Sequence, residues 1–312
     1  MVYEVFVSCA RFLEYLLEEE LVKLGLEVDR VSPNGVYGQA SLETLYELAL
    51  WSRIANRIHI VLLKKRVSTP KEMQIAVEQF EWSTLFSIDK TFAVEFNGST
   101  PWLRHTLFGS QLVKDGVVDY FSGFGDRPTV DKENPDILLQ AHIKNNDLTV
   151  SYDFTGYSLH QRGYRQLTHV APLKENIASA LLYRAKWPSL LEQGYHFVDP
   201  FCGAGTLLIE AALMAYQIPP GSFRSDQSFV HSNYHDNALW QQVKECAALK
   251  RRAIDTQFYG YDASVGAIDV AQNNCQAAGL LDQITLKHQA IKDYNPHAAS
   301  VLVLSNPPYG DR

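Results

Sequence analysis

Residues Tyr195 to Thr206 read YHFVDPFCGAGT, and this stretch decides how the second half of the chain folds. The apolar run that ends at Asp199 predicts a buried strand, and TLLIEAALMAY from Thr206 onwards predicts a helix. The small residues between them let a ligand approach the backbone, where the first turn of the helix offers unpaired N–H groups. We therefore predict a strand, a turn and a helix with a ligand at the turn.

Segments of the same kind follow along the chain. Short apolar runs alternate with helix-patterned segments, and one helix precedes the first strand. This alternation is typical of an α/β fold, a parallel sheet with right-handed crossovers. The predicted strands are 195–199, 258–262, 284–288 and 301–305, and the predicted helices are 173–186, 206–216 and 265–279. Residues 217–257 interrupt the pattern as a long insertion.

Polar groups follow three of these strands. Asp199 ends the first strand, Asp262 ends the second, and Asn306 follows the fourth. The carboxyl ends of parallel strands meet at one edge of a sheet, which is where doubly wound folds bind ligands. Leu208 occupies the third glycine position of a dinucleotide fingerprint, so a nicotinamide cofactor is the weaker interpretation. An acid at the tip of the second strand suits the ribose hydroxyls of a nucleoside.

The fourth strand ends in Asn306-Pro307-Pro308-Tyr309, which cannot continue a sheet because neither proline donates a backbone hydrogen bond. The Asn306 side-chain oxygen and the Pro307 carbonyl can both accept hydrogen bonds from one exocyclic amino group. Two such acceptors orient the nitrogen lone pair at an electrophile. Tyr309 offers a flat face on which a flipped base can stack. The motif therefore indicates chemistry on the amino group of a heterocycle.

The first half of the chain alternates short strands with helices in a less regular order. We predict an α+β region of one or two small sheets. On the first helix, Phe12 and Leu13 fall on the apolar face. The predicted helices are 11–24, 42–52 and 105–121, and the predicted strands are 28–32, 36–40, 57–63, 91–96, 136–143 and 148–154.

The composition is that of an ordinary soluble globular protein. Hydrophobic residues make up 46% and charged residues 20%, and no apolar run approaches the roughly 20 residues of a membrane span. The four cysteines include no C-x-x-C pair, which is typical of reduced thiols and not of a zinc site. His231 and His235 lack the glutamate of a metalloprotease motif, so we predict no metal. No leader is evident, and we expect a cytoplasmic protein.

The formal net charge is −7, and the acidic excess lies in the first half of the chain. Phosphates are met by local patches, so the distribution of charge matters more than its sum. One stretch, from residue 53 to residue 71, is basic and contains no acid. It predicts either a solvated face or a surface for nucleic acid. Its basic residues are Arg53, Arg57, Lys64, Lys65, Arg66 and Lys71.

DPFCGAGT (199–206) and NPPY (306–309), in this order, resemble the motifs of class I S-adenosylmethionine-dependent methyltransferases that modify amino nitrogens. Three earlier stretches resemble a THUMP RNA-binding domain with its exit linker: LRHTLFGSQLVKDGVVDYF, RPTVDKENPDI and LTVSYDFTGYSLHQRGYR. APLKENIASALL is similar to the helix that covers the cofactor pocket. Together these stretches resemble the bacterial large-subunit ribosomal RNA guanine-N2-methyltransferases, in the amino-terminal half of their bifunctional type.

The resemblance implies three parts. An α+β RNA-binding region, ferredoxin-like plus THUMP, covers 1–155, with the THUMP domain at about 43–155. A linker covers 156–172, and a Rossmann-like α/β methyltransferase domain covers 173–312. Because this fold normally has three further strands, the domain is expected to be truncated after its fourth strand. A further C-terminal catalytic domain in a longer protein would fit the same resemblance.

By resemblance, the cofactor is S-adenosylmethionine, the partner is large-subunit ribosomal RNA, and no metal takes part. The implied cofactor-binding residues are Asp199, Cys202, Gly203, Gly205, Thr206 and Asp262. The implied catalytic residues, which hold the guanine amino group, are Asn306, Pro307, Pro308 and Tyr309. Candidates for phosphate contact, in a mode that weakens with salt, are Arg53, Arg57, Lys64, Lys65, Arg66, Arg104 and Lys114.

Other interpretations stay open at this point. The NPPY motif is shared with adenine-N6 and protein-glutamine methyltransferases, so DNA, other RNA or protein are alternative substrates. The chain could also be an RNA-binding fragment without activity. A nucleotide-dependent oxidoreductase is the most distant alternative. Ala290 stands where the family commonly has an acid that contacts adenine, which departs from the pattern.

Overall fold

A computed structural model describes residues 1–166, 173–224, 227–293 and 300–308. The chain divides into two compact units. The first comprises Met1–Ala49, Asn56–Ser158 and Asp226–Gln241, and the second comprises Leu50–Ala55, Leu159–Ser225 and Gln242–Arg312. Each unit is therefore built from segments that are separated in the sequence.

Strands and helices alternate along the described chain. The strands are β1 (Val2–Ser8), β2 (Glu27–Ser32), β3 (Gly35–Ser41), β4 (Arg57–Arg66), β5 (Phe92–Ser99), β6 (Ile137–Lys144), β7 (Asp147–Asp153), β8 (His196–Asp199), β9 (Phe258–Asp262), β10 (Ile284–His288) and β11 (Val301–Val303). The helices are α1 (Glu14–Lys23), α2 (Leu42–Trp51), α3 (Pro70–Glu78), α4 (Thr106–Ser122), α5 (Glu175–Arg184), α6 (Trp187–Glu192), α7 (Thr206–Ala215), α8 (Asn237–Leu249) and α9 (Val265–Ala277). No described helix is both long and apolar enough to cross a bilayer.

The first unit is organised around one seven-stranded sheet with the order β2-β3-β1-β4-β7-β6-β5. Its pairs are antiparallel except for β5 with β6. The prediction of an α+β region is confirmed, and the sheet is single. Strand β4 makes it single, because it pairs with β1 on one side and with β7 on the other.

Helix α3 of the first unit was not predicted from the sequence, and β4 and α1 differ from their predicted bounds. Strand β4 runs on to Arg66, because its last residues pair with the backbone of Asp147 to Thr149. Helix α1 begins at Glu14 and not at residue 11. Phe12 precedes it with a φ of 70° and is 80% exposed, so its predicted place on the buried helix face is wrong. A left-handed residue cannot belong to a right-handed helix.

The second unit contains a four-stranded parallel sheet with the order β10-β9-β8-β11. If the strands of this unit are numbered 1 to 4 along the chain, they lie side by side in the order 3-2-1-4. This is the doubly wound arrangement that the strand and helix pattern predicted. The direction of winding changes between β8 and β11, so the carboxyl ends of these two strands border the switch point. The Rossmann-like prediction is confirmed for these strands.

Helix α7 is buried along its whole length and forms the centre of the second core. It lies close to the sheet because β9 has a glycine at its middle. A β-carbon at Gly260 would come within 2.4 Å of the Leu208 side chain and 2.6 Å of the Leu286 side chain. The turn at the start of α7 is therefore fixed by packing along the rest of the helix.

The first half of the predicted linker packs inside the second unit from Leu159 onwards. Leu159, Arg162 and Tyr164 are at most 1% exposed. The Arg162 guanidinium donates hydrogen bonds to the carbonyls of Ser52, Arg53 and Leu159. These residues are therefore part of the unit's core, while residues 167–172 of the predicted linker lie outside the described residues.

Candidate cofactor and catalytic site

In the turn between β8 and α7, the main chain borders open space. Gly203 and Gly205 have φ values of 52° and 79°, a left-handed conformation that favours glycine. A β-carbon at Gly203 would meet nothing within 4 Å, so the space in front of this residue is free. Helix α7 begins directly afterwards and directs its unpaired N–H groups towards the turn.

Asp262 fastens this turn to the end of the neighbouring strand β9. One carboxylate oxygen accepts a hydrogen bond from the Gly203 N–H at 3.0 Å, and the other accepts from the Ser264 N–H at 2.9 Å. The side chain is only half-buried, so the remaining lone pairs of the carboxylate are open to a ligand. The structure thus brings the predicted residues Gly203 and Asp262 into direct contact.

Asp199 lies at the end of β8 and is 2% exposed. Its Oδ1 accepts hydrogen bonds from the Phe201 N–H at 3.1 Å and from the Ser305 hydroxyl at 2.5 Å. Burial raises the pKa of the carboxyl from 3.8 to about 6, although these two donors oppose the effect. Ser305 thereby links Asp199 to the segment that carries the NPPY motif.

Thr206, the first residue of α7, receives a hydrogen bond from an arginine that the sequence analysis assigned to the linker. The Arg165 guanidinium donates to the Thr206 hydroxyl at 3.2 Å and to the Glu175 carboxylate at 2.9 Å. Burial raises the pKa of Glu175, and the Arg165 charge opposes that shift. A cation therefore stands beside the first turn of α7.

Cys202 contributes differently from its prediction as a cofactor-binding residue. Its side chain is 5% exposed and belongs to the hydrophobic core. Burial raises the pKa of the thiol well above its ordinary value. The backbone remains in the turn, where the Cys202 N–H donates to the Tyr261 carbonyl at 2.9 Å. The Cys202 carbonyl accepts from the Gly205 N–H at 2.8 Å, so this residue shapes the turn, and its contact with a cofactor stays a prediction.

The NPPY segment begins beside β8. The Leu304 N–H donates to the Val198 carbonyl at 3.1 Å, after which the chain leaves the sheet. Asn306 and Pro308 are exposed and Pro307 is half-buried. The fourth strand ends at residue 303, two residues before its predicted end, and Tyr309 lies outside the described residues. The Asn306 amide is thus accessible at the carboxyl edge of the sheet.

Sequence reasoning missed three side chains of this site. Ser305 precedes the NPPY motif, and Arg165 and Glu175 flank the end of the predicted linker. The Arg165–Thr206 and Ser305–Asp199 contacts join segments 41 and 106 residues apart in the chain, and Glu175 takes part through its ion pair with Arg165. The arginines in QRGYR were a visible signal, but nothing in that pattern indicates which strand end they reach.

Some of the residues that were predicted to contact phosphate have exposed side chains, and others are buried or held in an ion pair. Arg53 is a correction: it is 5% exposed and donates to the carbonyls of Leu213 and Ile218, so it cannot meet RNA. Arg57 forms an ion pair with the buried Asp153. The remaining predicted cations are at least partly exposed: Lys64, Lys65, Arg66, Arg104 and Lys114. Of these, Lys64 pairs with Glu4 and Lys114 pairs with Asp115.

The described residues include no cluster of three or more metal-ligating side chains. The two histidines that stand at helical spacing have separate partners. His231 lies 3.3 Å from the Asp136 carboxylate, and His235 Nδ1 lies 2.7 Å from the Tyr46 hydroxyl. Each imidazole therefore has a structural partner within the first unit.

Three family models match successive parts of the chain. Residues 4–59 match an RlmL ferredoxin-like domain, residues 67–153 match a THUMP domain, and residues 162–312 match an RMKL-like methyltransferase domain. Among curated relatives, the ribosomal RNA large subunit methyltransferase K/L of Legionella pneumophila is 48% identical over 313 residues, which cover 100% of this chain and 44% of the relative. That of Hydrogenovibrio crunogenus is 42% identical over 322 residues, which cover 98% of this chain and 43% of the relative.

Solved structures show the same fold. A putative methyltransferase complexed with SAH is 29% identical with a TM-score of 0.88, and the match covers 100% of this chain and 81% of that one. A protein from Listeria monocytogenes, described as a predicted N6-adenine-specific DNA methylase, is 27% identical with the same TM-score and coverage. The chain spans less than half the length of the curated relatives. The expectations of missing strands and of a further domain stay predictions.

Proposed function

Since the chain belongs to the THUMP-containing methyltransferases that join an RlmL ferredoxin-like domain to an RMKL-like methyltransferase domain, we propose that it methylates large-subunit ribosomal RNA. The methyl donor is S-adenosylmethionine, and the acceptor is the exocyclic N2 amino group of a guanine. The observation that carries the proposal is the meeting of Asp199, Asp262 and the NPPY segment at one sheet edge. We also infer a cytoplasmic location, which a ribosomal RNA substrate supports.

The residues at this edge fit the cofactor. The free space at Gly203 admits a ligand against the backbone, and the half-buried Asp262 carboxylate can accept hydrogen bonds from both ribose hydroxyls. Asp199 would bind the amino group and Arg165 the carboxylate of the methionine part, because their charges are complementary to those groups. When bound, the cofactor supplies an electrophilic methyl group on a sulfonium.

The NPPY segment prepares the acceptor nitrogen. The Asn306 Oδ1 and the Pro307 carbonyl accept the two amino hydrogens, which holds the nitrogen lone pair in line with the methyl group. The same acceptors stabilise the positive charge that develops on the nitrogen, and one of its protons leaves to solvent after transfer. Tyr309 would stack on the flipped base, as the motif suggests. No covalent enzyme intermediate is needed.

The division of labour along the chain is part of this proposal. We assign RNA binding to residues 1–155, with a connection at 156–172 and catalysis at 173–312. Lys64, Lys65, Arg66, Arg104 and Lys114 are the cations that we assign to phosphate contact, because they retain exposed side chains. Arg57 can take part only if its ion pair with Asp153 opens.

A transfer assay tests the proposal. The chain is incubated with methyl-labelled S-adenosylmethionine and unmodified large-subunit RNA, and the RNA is digested to nucleosides. We expect label in N2-methylguanosine, with loss of transfer but retained cofactor binding in Asn306→Ala. Label in N6-methyladenosine, or in glutamine when protein is offered, would replace the guanine assignment. RNA binding with no cofactor binding would instead favour a binding module.

A further inference from the structure

The sheet of the first unit carries a row of four side chains in register on one face. Arg30 on β2 is directly opposite Tyr37 on β3, and Tyr37 is opposite Phe6 on β1. Phe6 is in turn opposite His59 on β4. Residues opposite one another in a ladder point to the same side of the sheet. These four side chains, the aromatic row, therefore form one continuous line across four strands.

The members of the aromatic row lie within interaction distance of one another. The ring centroids of Phe6 and Tyr37 are 4.6 Å apart with an angle of 36° between planes, and those of Phe6 and His59 are 6.0 Å apart at 19°. The Arg30 guanidinium carbon lies 4.1 Å from the centre of the Tyr37 ring. The Lys64 ammonium lies 5.8 Å from the same ring. The aromatic row, with Lys64 beside it, thus combines flat apolar surfaces with two cations.

A glycine accommodates the Phe6 ring against the sheet. A β-carbon at Gly35 would come within 2.6 Å of two Phe6 ring carbons and 2.4 Å of the Val7 carbonyl oxygen. Only glycine leaves this space, so the ring can extend over the neighbouring strand instead of projecting away from it. Gly35 therefore lets the Phe6 ring lie against the sheet, beside the other side chains of the aromatic row.

The aromatic row lies on the less buried face of its strands. Val5 and Val7, which alternate with Phe6 on β1, are completely buried, whereas Phe6 and Tyr37 are half-buried and Arg30 is exposed. His59 is only 8% exposed, so the accessible part of the aromatic row is Phe6, Tyr37 and Arg30. A sheet face turned away from the core is normally polar, with aromatic side chains on the core side. Cross-strand packing alone stabilises a sheet but requires no cation over the outer ring.

The same face continues into a group of charged side chains at the end of β4. Through the bulge in β4, Lys64 pairs with Thr149 and Arg66 with Asp147, and these partners alternate with the core residues of β7. Lys144 on β6 is also opposite Asp147. The acids on this part of the face are Glu4, which pairs with Lys64, and Asp147. At the end of β4, Lys64, Arg66 and Lys144 therefore lie near these two acids, and two further acids, Glu95 and Asp153, lie farther along the same face.

We propose that the aromatic row is a stacking platform for unpaired RNA bases. One base stacks on Phe6 and the next on the outer plane of the Arg30 guanidinium, while Lys64 and Arg66 meet the phosphates of the same strand. Such contacts read no particular base, because every base has a π-face. This inference extends the RNA surface to the ferredoxin-like part of the chain and rests on the proposed RNA substrate.

Binding and crosslinking of a fluorescent oligouridine to the full chain test the inference. We expect Phe6→Leu and Tyr37→Leu each to weaken binding about tenfold, because each loses a stacking surface but keeps an apolar side chain. Phe6→Tyr and Tyr37→Phe keep the rings and should bind as the wild type does, which separates ring loss from misfolding. Tyr15→Leu is the matched control, since Tyr15 is an exposed aromatic on α1, outside the aromatic row. Ultraviolet crosslinks should map to Phe6 or Tyr37.

The outcomes distinguish this inference from the proposed function. If the wild type binds RNA and the leucine variants bind equally well, the stacking platform is wrong while the RNA substrate stands. If the wild type binds neither oligouridine nor ribosomal RNA, both fail together. Self-association that the leucine variants abolish, with unchanged RNA affinity, would assign the face to a second copy of the chain and overturn the inference.

Discussion

Asp199 is subject to two opposing requirements. Its burial disfavours the charged form and raises its pKa to about 6, yet a bound ammonium group requires the charge. A carboxyl whose pKa is raised on folding holds its proton more tightly in the folded state. Its contribution to stability is therefore complete below the ordinary pKa of 3.8 and is lost as the pH rises to about 6. The difference amounts to about 3 kcal/mol.

We expect Asp199→Asn to stabilise the second unit at about pH 8 by about 3 kcal/mol, because the amide keeps the hydrogen bonds from Ser305 and Phe201 without the buried charge. The advantage over the wild type should shrink as the pH falls below 6 and the wild-type carboxyl takes up its proton. Urea unfolding at several pH values measures both quantities. An advantage that does not change with pH would show that Asp199 does not titrate in this range.

Cofactor affinity should depend on pH in the opposite sense. We expect binding of S-adenosylmethionine to weaken as the pH falls through about 6, because protonated Asp199 no longer attracts the amino group. Isothermal titration calorimetry measures this directly. The Asn variant should bind weakly at every pH, and a wild-type affinity that stays constant across this range would contradict the assignment of Asp199 to the amino group.

The glycine of the turn offers a matched pair of substitutions. Gly203 and Gly194 both have positive φ, and a β-carbon at either would meet nothing within 4 Å. We expect Gly203→Ala and Gly194→Ala to cost a similar 1–2 kcal/mol, roughly, of backbone strain. Only Gly203→Ala should weaken cofactor binding, by about tenfold or more, because its methyl group occupies ligand space. Equal affinities in the two variants would remove the cofactor from this turn.

The individual site residues were predictable where they follow strand ends. Asp199 and Asp262 could be placed at one sheet edge from the strand pattern, and the structure joins Asp262 to Gly203 by a hydrogen bond. Ser305 and Arg165 could not be found this way, because each acts through a contact between distant segments. The same limit explains Arg53, whose burial depends on carbonyls far along the chain.

Helix α7 shows how one element fixes the site. Its residue Glu210 is fully buried, and its carboxylate accepts hydrogen bonds from the Tyr164 hydroxyl at 3.0 Å and the Ser179 hydroxyl at 2.6 Å. The Arg162 guanidinium lies 3.6 Å from the same carboxylate. A buried charge needs such partners. Arg162 and Tyr164, in the first half of the predicted linker, are therefore held to α7, and α7 in turn positions its first residue, Thr206.

We expect Arg162→Met to lower the free energy of unfolding by about 3–5 kcal/mol, because it leaves Glu210 without its cation and removes the Arg162 hydrogen bonds to the carbonyls of Ser52, Arg53 and Leu159. Urea unfolding followed by tryptophan fluorescence, to which Trp187 contributes as a fully buried residue of the same unit, measures the change. Arg251→Met is the matched control, an exposed arginine in that unit, and should change stability by less than about 0.5 kcal/mol. A similar small effect of both variants would mean that the buried network adds no stability.

Helices and strands were predictable to different degrees. The strands of the second unit were found because each is a short apolar run followed by a turn or an acid, and β8 and β11 are one and two residues shorter than expected. The start of α1 was misplaced because apolar periodicity cannot reveal the left-handed φ of Phe12. The extra length of β4 was missed because Lys64 to Arg66 is polar and is ordered by its partner strand.

At the level of the whole chain, the α+β and α/β halves could be predicted from the order of elements alone. The single sheet of the first unit could not, because it depends on β4 pairing on both sides. The composition of the two units was also beyond prediction. Residues 50–55 belong to the second unit although first-unit sequence flanks them, and residues 226–241 belong to the first unit although second-unit sequence flanks them. No local sequence pattern marks these changes of unit.

We propose that the carboxyl edge of the second sheet transfers a methyl group to guanine N2 in large-subunit RNA. Mass spectrometry of ribosomal RNA nucleosides, from cells with and without this gene, tests it most directly. We predict the loss of one N2-methylguanosine, restored by the wild-type gene and not by an Asn306→Ala copy. Large-subunit RNA with unchanged nucleosides, or restoration by the Asn306→Ala copy, would contradict the claim.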